Sequence, residues 1–311
     1  MNHGVVSSVP GFAVCVVLAA AAGCAPGPAG DGGGAGGVCE RSVEGAATPA
    51  ARRLHSHNDY ERRRPLEEAI EAGVGSIEAD VFLVDGRLLV AHDLDKTRPG
   101  RTLAGMYLDP LERRVRELGW VHPETPGFSL VLMVDIKADG VRVYEALKEE
   151  LRPRAWMLSS WREGEGVTRG AVTVVLSGDR PVRDVAAERE RWVFLDGRPG
   201  DLELPEGERP GPGLMPIISG PWRSMFTWLG MGEMPSRERE RLRVYVSRAR
   251  AMGYQVRFWG VPNMESVWGE LWDAGVDWIN MDAPGRAAAY LGARGAGGDG
   301  AEVRPSADGG R

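Results

Sequence analysis

Short apolar runs alternate with longer amphipathic segments over about 245 residues in the middle of the chain. Apolar runs of four to eight residues between turn residues predict strands, and apolar positions at helical spacing predict helices. The predicted strands are 53–57, 76–83, 87–92, 129–136, 172–177, 192–195, 214–219, 255–259 and 278–281. The predicted helices are 65–72, 110–118, 141–151, 180–191, 236–252 and 264–274.

The pattern within the strands indicates how they associate. Residues 130–134, Leu-Val-Leu-Met-Val, are apolar throughout, which is typical of parallel strands that are buried on both faces. Alternating strands and helices over this length favour a single TIM-type (β/α)8 barrel, regular or with local irregularities. An open doubly wound sheet is the alternative, but the sequence has no GxGxxG turn after its first strand.

The two ends of the chain differ from its middle. Residues 12–23 are an apolar run of signal-peptide length, and Ala-Ala-Gly-Cys at 21–24 resembles the lipobox of bacterial lipoproteins. We expect export and lipidation of Cys24, with anchorage to the cell membrane; an ordinary secretory signal is the alternative. The expected organisation is a signal peptide at 1–23, a flexible tether at 24–49, a barrel at 50–293 and a disordered tail at 294–311.

Charge and cysteine content narrow the function. The formal net charge is −6 and the sequence has no long basic run, which argues against a nucleic-acid partner. The three cysteines, Cys15, Cys24 and Cys39, all precede the predicted barrel. The barrel therefore has no disulfide framework and no cysteine-based zinc site.

Carboxylates lie two residues apart in an apolar strand. Glu78 and Asp80 point to the same face, because alternate side chains of a strand share a face. Two like charges in an apolar setting repel each other, and a divalent cation resolves this repulsion because hard cations bind carboxylate oxygens. Asp135 and Lys137 repeat the spacing, so Asp135 would complete the site while Lys137 faces an anionic substrate or pairs with an acid. Internal ion pairs without a metal are the alternative.

Histidines follow the same early strands. His55 and His57 end the first strand and His92 ends the third, whereas His122 precedes a proline in a loop-like stretch and is expected at the surface. Imidazole titrates near neutrality, so two histidines across a cleft can act as acid and base. In a barrel, the carboxyl ends of the strands carry the active site.

Several of these segments together resemble the phospholipase C-like phosphodiesterase superfamily, which includes glycerophosphodiester phosphodiesterases and phosphoinositide-specific phospholipases C. The likeness is greatest to the branch of altered inheritance of mitochondria protein 6. The segments are His-Asn-Asp-Tyr (57–60), Ser-Ile-Glu-Ala-Asp-Val (76–81), Asp-Gly-Arg-Leu-Leu-Val-Ala-His-Asp (85–93), Val-Asp-Ile-Lys (134–137), Arg-Phe-Trp-Gly-Val-Pro (257–262) and Ala-Gly-Val-Asp-Trp-Ile-Asn-Met-Asp (274–282).

The resemblance implies a barrel that hydrolyses phosphoric diesters with one divalent cation, Ca²⁺ or Mg²⁺. It implies catalytic roles for His57 and His92, metal ligation by Asn58, Glu78, Asp80 and Asp135, and a phosphate-side role for Lys137. Asp135 stands where the family usually has Glu. The resemblance implies a glycerophosphodiester or a phosphoinositide-like lipid headgroup as substrate. The glycerophosphodiesterase motifs His-Arg-Gly and Pro-Glu-Asn-Thr are absent, which argues against strict specificity for glycerol.

Three residues of the last strands are further candidates. Arg257 and Trp259 share a strand face and are expected to bind substrate, with packing as the alternative for Trp259. Asp282 ends the last strand and either orients a site residue or caps the helix that follows.

Two other functions remain open at this point. The motif His55-Ser56-His57 also opens the zinc amidohydrolase and phosphatase-like barrels, although their metal sites need further histidines. A non-catalytic surface lipoprotein that binds a ligand is the second alternative.

Overall fold

The computed structural model describes residues 49–297. Its strands are β1 (Leu54–Ser56), β2 (Ser76–Val84), β3 (Arg87–Val90), β4 (Leu130–Ile136), β5 (Ser160–Arg162), β6 (Gly166–Thr168), β7 (Val172–Gly178), β8 (Glu190–Arg191), β9 (Val193–Gly197), β10 (Ile217–Pro221), β11 (Gln255–Trp259) and β12 (Ile279–Met281). Its α-helices are α1 (Glu67–Glu71), α2 (Asp109–Leu118), α3 (Gly140–Leu151), α4 (Val182–Ala187), α5 (Trp222–Met225), α6 (Ser236–Ala251), α7 (Glu265–Asp273) and α8 (Pro284–Gly297).

Eight of these strands form a parallel barrel. They run in the order β1-β2-β4-β7-β9-β10-β11-β12, and β12 pairs with β1. A parallel bridge between Arg257 and Trp278 joins β11 to the start of β12 and closes the ring. The antiparallel β3 is added to the extended end of β2. The predicted TIM-type (β/α)8 fold is confirmed, with β3 as its main irregularity.

Side chains alternate between the two faces of each barrel strand. Ile77, Ala79 and Val81 of β2 belong to the large core between strands and helices. Residues that face the barrel interior form a second, smaller apolar cluster: Val131, Met133, Val175, Phe194, Ile217 and Trp278. Above that cluster, the inward positions become polar, and they supply the candidate site.

A small antiparallel sheet is one of the features that the sequence pattern did not predict, together with α5 and α8. It has the order β6-β5-β8, and β8 lies inside the segment 180–191 that we expected to be wholly helical. The helix ends at Ala187, Glu188 is already extended, and β8 follows. The Arg191 guanidinium lies 4.2 Å from the ring centroid of Trp161, and Trp161 and Arg191 are strand partners.

The ends of the described segment refine the predicted domain boundaries. Pro49, assigned to the tether, begins a short 3₁₀ helix, and α8 extends to Gly297, so it includes the first residues of the expected tail. The predicted signal peptide, Cys24 and the rest of the tail lie outside the described residues. Among residues 49–297, the helices are all too short or too polar to cross a bilayer.

His122 is buried, so the expectation of a surface position was wrong. The ring is 1% exposed, and its Nε2 lies 2.9 Å from the carbonyl oxygen of Val74, just before β2 begins. The ring therefore lies at the amino end of the barrel and satisfies a backbone group there. Burial and the charge of Arg52 lower the pKa of His122 to about 4.

This buried histidine predicts a pH dependence of stability. Between its ordinary pKa of 6.5 and its folded pKa of about 4, the unfolded chain binds a proton that the folded chain excludes. As the pH decreases through this window, the free energy of unfolding should therefore decrease by roughly 1.4 kcal/mol per pH unit because of this side chain. His122→Gln keeps an amide donor for Val74 and cannot titrate, so it should flatten the slope. Urea unfolding of both proteins across this pH window is the measurement, and equal slopes would contradict the assignment.

Candidate active site

Three carboxylates converge at the carboxyl end of the barrel. Asp80 of β2 and Asp135 of β4 are strand partners, and Glu78 precedes Asp80 by two positions on the same inward face. Glu78, Asp80 and Asp135 each offer an oxygen within 4.8 Å of the other two. Glu78 and Asp80 are buried, while Asp135 is partly exposed. The predicted pairing of these acids across neighbouring strands is therefore present.

Lys137 bridges two members of this triad. Its Nζ lies 2.7 Å from Oδ2 of Asp80 and 2.7 Å from Oδ2 of Asp135. Burial and the charge of Glu78 raise the pKa of Asp80 to about 6, although Lys137 opposes the shift. Burial would lower the pKa of Lys137, but the two carboxylates outweigh it and raise that pKa. Repulsion among the acids is thus only partly balanced by the lysine.

Glu78 is held by two basic side chains. Nη2 of Arg257 donates to both of its oxygens at 3.2 and 3.3 Å, and Nε2 of His55 lies 3.3 Å from Oε2. Burial alone would raise the pKa of Glu78, but the charge of Arg257 and the hydrogen bond from His55 hold it well below its ordinary range. The carboxylate is therefore ionised and accepts both bonds. His55 in turn faces Ser76 at 2.7 Å, and burial lowers its pKa to about 4, so the ring is neutral near pH 7.

His57 lies between this cluster and the end of β12. Its Nδ1 is 2.8 Å from Oδ1 of Asp282, and its Nε2 is 3.9 Å from Oε2 of Glu78. The hydrogen bond from His57 lowers the pKa of Asp282, which is therefore an ionised acceptor. Nδ1 consequently carries the proton, and in the neutral ring Nε2 holds the lone pair. Burial opposes charging of His57, but the bond to Asp282 and the charge of Glu78 raise its pKa.

The other predicted residues are placed less tightly. His92 follows Ala91, whose amide donates to the carbonyl of Asp80, so its backbone reaches the rim beside the triad. Its ring is half exposed and contacts Asp93 at 3.1 Å. Asn58 has a left-handed backbone and lines a cleft beside His57. Trp259 lies at the end of β11 and is 46% exposed.

The cleft has a volume of about 360 Å³, and its lining residues are His57, Asn58, Glu61, Arg62 and Asp282. The guanidinium of Arg62 makes hydrogen bonds within the protein: it donates to Oγ of Ser56 at 3.1 Å and to the carbonyl of Asp282 at 2.7 Å. The cleft therefore gives access to His57 and Asp282.

Sequence reasoning missed three residues that shape the site. The Tyr60 hydroxyl donates to Oδ2 of Asp80 at 2.8 Å, and Asn280 accepts from Arg257 at 2.9 Å. His55 supports Glu78, whereas the sequence offered it as a zinc ligand. Tyr60 is the last residue of the motif His-Asn-Asp-Tyr and Asn280 alternates with Asp282, so position was a signal for both. The partners of these two residues depend on strand register. Arg257 is 3% exposed and faces Glu78, so it orients this acid.

The triad fits a divalent cation by its donor chemistry. Among the described residues, Oδ1 of Asp80 is buried and has no hydrogen-bond partner, although its neighbour Oδ2 has two. A buried carboxylate oxygen without a partner is costly unless a cation completes it. All three donors are carboxylate oxygens, the ligand type that Ca²⁺ and Mg²⁺ prefer.

Comparisons with known proteins show which proteins this chain resembles. Residues 46–196 match the family model of the AIM6-like phosphodiesterase domain. Altered inheritance of mitochondria protein 6 from Eremothecium gossypii is 29% identical over 75% of this chain and 68% of its own length. The homologue from Arthroderma benhamiae is 29% identical over 76% of this chain and 83% of its own. A glycerophosphodiester phosphodiesterase structure from Parabacteroides distasonis has a TM-score of 0.45 at 15% identity, covering 78% of this chain and 96% of that one.

The family match, which covers residues 46–196, shows a likeness to a class of phosphodiesterase domains. Within that class, residues 46–196 are similar to the AIM6-like phosphodiesterase domain. The resemblance expected from the motifs is confirmed, including the branch.

The triad predicts cation-dependent stability that a single substitution removes. After chelation, added Ca²⁺ or Mg²⁺ should raise the Tm. At a hundredfold excess of the ion over Kd, the free energy of unfolding should increase by about 2.7 kcal/mol. The Asp80→Asn variant should show no increase of Tm with either ion. Its Tm without metal should stay near that of the wild type, because burial and Glu78 disfavour the ionised form of Asp80 in the folded protein. Exposed Asp95 is the matched control as Asp95→Asn. If calorimetry shows the same wild-type Tm with and without each ion, the proposed cation site is contradicted.

Proposed function

We propose that this protein is a metal-dependent phosphoric diester hydrolase that acts on a glycerophosphodiester or a phosphoinositide-like substrate. The observation that carries the proposal is one cluster: three acids bridged by Lys137, with His57 oriented by Asp282 at their side. The match of residues 46–196 to a phosphodiesterase family supports it.

One divalent cation, Ca²⁺ or Mg²⁺, is part of the proposal. Glu78, Asp80 and Asp135 would hold it, with the amide of Asn58 as a fourth ligand. When bound, the cation supplies positive charge to a non-bridging oxygen of the phosphodiester. The Nζ atom of Lys137 lies 2.7 Å from Asp80 and from Asp135, so it is next to the proposed cation site. Its ammonium group would therefore stabilise the negative charge of the same phosphate.

Two histidines would move the protons. His57 Nε2 removes the proton of the attacking hydroxyl, which belongs to the substrate or to water, and His92 donates a proton to the leaving oxygen. Asp282 is a positioning residue, because its bond to Nδ1 fixes the tautomer and stabilises the charged ring after the transfer. Arg257 keeps Glu78 ionised and aimed at the cluster.

The zinc amidohydrolase alternative needs a set of histidine ligands. In the described part of the chain, His55 is engaged with Ser76 and Glu78, and His122 lies at the opposite end of the barrel. The geometry therefore favours an oxygen-ligand site over a histidine-ligand site. The non-catalytic alternative is an outcome of the test below.

Substitution of the two histidines tests the acid–base scheme. His57→Asn should reduce kcat on bis(p-nitrophenyl) phosphate by about 10²–10⁴-fold, because it removes the proton acceptor. His92→Asn should cause a similar loss on glycerophosphocholine, whose alkoxide leaving group needs a proton. Thermal unfolding checks that both variants fold. Full activity of both variants would refute the scheme, and a folded wild type that cleaves no diester at any metal concentration would support the non-catalytic alternative.

We further propose that the protein works outside the cytoplasm on a membrane, anchored by a lipid on Cys24. The apolar run at 12–23 and its small residues before Cys24 support this. Radiolabelled palmitate should enter the wild-type protein in growing bacteria and should not enter Cys24→Ala. Equal labelling of both, or release of the wild type into the medium, would contradict the anchor.

A further inference from the structure

The first and last barrel strands end immediately before His57 and Asp282. The register of β1 and β12 pairs Ser56 with Met281, and both strands end at these residues. One position further on, the amide of His57 donates to the carbonyl oxygen of Met281 at 3.1 Å. The next carbonyl groups along the two chains belong to His57 and Asp282. The alignment of these two residues therefore depends on contacts beyond the strand ladder.

The guanidinium of Arg62 bridges these two carbonyl groups. Its Nη1 donates to the carbonyl oxygen of Asp282 at 2.7 Å, and its Nη2 donates to that of His57 at 3.4 Å. Its Nε donates to Oγ of Ser56 at 3.1 Å. A guanidinium presents its N–H groups in a rigid plane, so simultaneous bonds to several acceptors fix the distances between those acceptors. Arg62 therefore continues the connection between the two chain segments with a side chain, just beyond the last strand pair.

Arg62 is itself held by the buried carboxyl group of Asp59. The Nε atom of Arg62 lies 3.4 Å from Oδ1 of Asp59, and Oδ1 also accepts from Oγ of Ser56 at 2.9 Å. The other oxygen, Oδ2, accepts from the amide of Leu66 at 2.6 Å and from the hydroxyl of Tyr107 at 3.0 Å. Asp59 is thus anchored by three separate segments of the chain. The arginine that contacts it is consequently held in one position.

The hydrogen bond between His57 and Asp282 lies where water competes with it. The side chain of Asp282 is 57% exposed and that of His57 is 34% exposed. An exposed pair of this kind contributes little on its own, because each partner can turn towards solvent. Arg62 binds the backbone of both residues, so it fixes the two points from which the side chains extend. The hydrogen bond at Nδ1 then determines which nitrogen of His57 carries the proton.

We infer that Arg62 is a positioning residue: it aligns His57 with Asp282 and so maintains the Nδ1–H tautomer, which leaves the Nε2 lone pair free. The inference rests on the proposed function, in which His57 Nε2 accepts the proton of the attacking group. Arg62 also lines the cleft, so a direct contact with the substrate phosphate is the alternative that the test must separate.

Nitrogen NMR of protein grown with isotope-labelled histidine reports the tautomer without turnover. At a pH where the ring is neutral, wild-type His57 should have a protonated Nδ1 and an unprotonated Nε2, with His57→Asn assigning the signals. In Arg62→Met the two tautomers should mix. The kcat on bis(p-nitrophenyl) phosphate should then fall about tenfold, the effect of one lost hydrogen bond. The KM should stay within about twofold, because Arg62 acts through His57 and not on the substrate.

Two further variants keep the result interpretable. Arg63→Met removes the same charge from the exposed neighbouring position, so it is the matched control and should change neither the tautomer nor kcat. Arg62→Lys keeps a positive charge beside Asp59 and serves if Arg62→Met does not fold, which thermal unfolding checks. A single ammonium nitrogen lacks the planar fork that spans both carbonyl groups, so the tautomers should mix in this variant too.

The outcomes separate the inference from the proposed function. An unchanged His57 tautomer in a folded Arg62 variant would overturn the positioning role, and an increased KM beside that unchanged tautomer would assign Arg62 to substrate binding. Mixed tautomers in the Arg62 variants, in a protein whose wild type cleaves no diester, would support the positioning of His57 and overturn the hydrolase.

Discussion

The burial of two like charges on one face of β2 is the constraint on which the rest of the site depends. Glu78 and Asp80 project into the barrel from the same strand, and nothing in an apolar interior would tolerate them unpaired. Side chains of the surrounding segments bind these carboxylates. Arg257 and His55 contact Glu78. Lys137 and Tyr60 contact Asp80. One oxygen of Asp80 still has no partner in the described residues, which is the gap that a cation would fill.

The barrel makes this concentration of charge possible. The carboxyl ends of all the parallel strands lie at one mouth of the barrel. Acids of β2 and β4 therefore lie near His57, which follows β1, and Asp282, which follows β12. The lower interior is filled by apolar side chains, which hold the strand positions and keep the polar layer at the mouth. Chemistry and stability are thus separated along the barrel axis.

Strand register also explains why sequence reasoning succeeded for some residues and failed for others. Glu78, Asp80 and Asp135 were predictable because spacing within a strand fixes a face and parallel strands share an edge. Arg257 was predicted to bind substrate, but it crosses the barrel to Glu78, a contact 179 positions away in sequence. His122 was placed at the surface because its local sequence is loop-like, although its ring satisfies Val74 from 48 positions away.

The sequence alone determined the class of fold, the positions of most barrel strands and the acidic and imidazole groups at their ends. These features depend on local periodicity, on residue type and on short sequence motifs. Tertiary structure alone decided which partner each charge received, that β8 interrupts the segment 180–191, and that Asp282 orients His57. Those outcomes follow from contacts between residues distant in the chain, whose geometry arises only when the ring of strands closes.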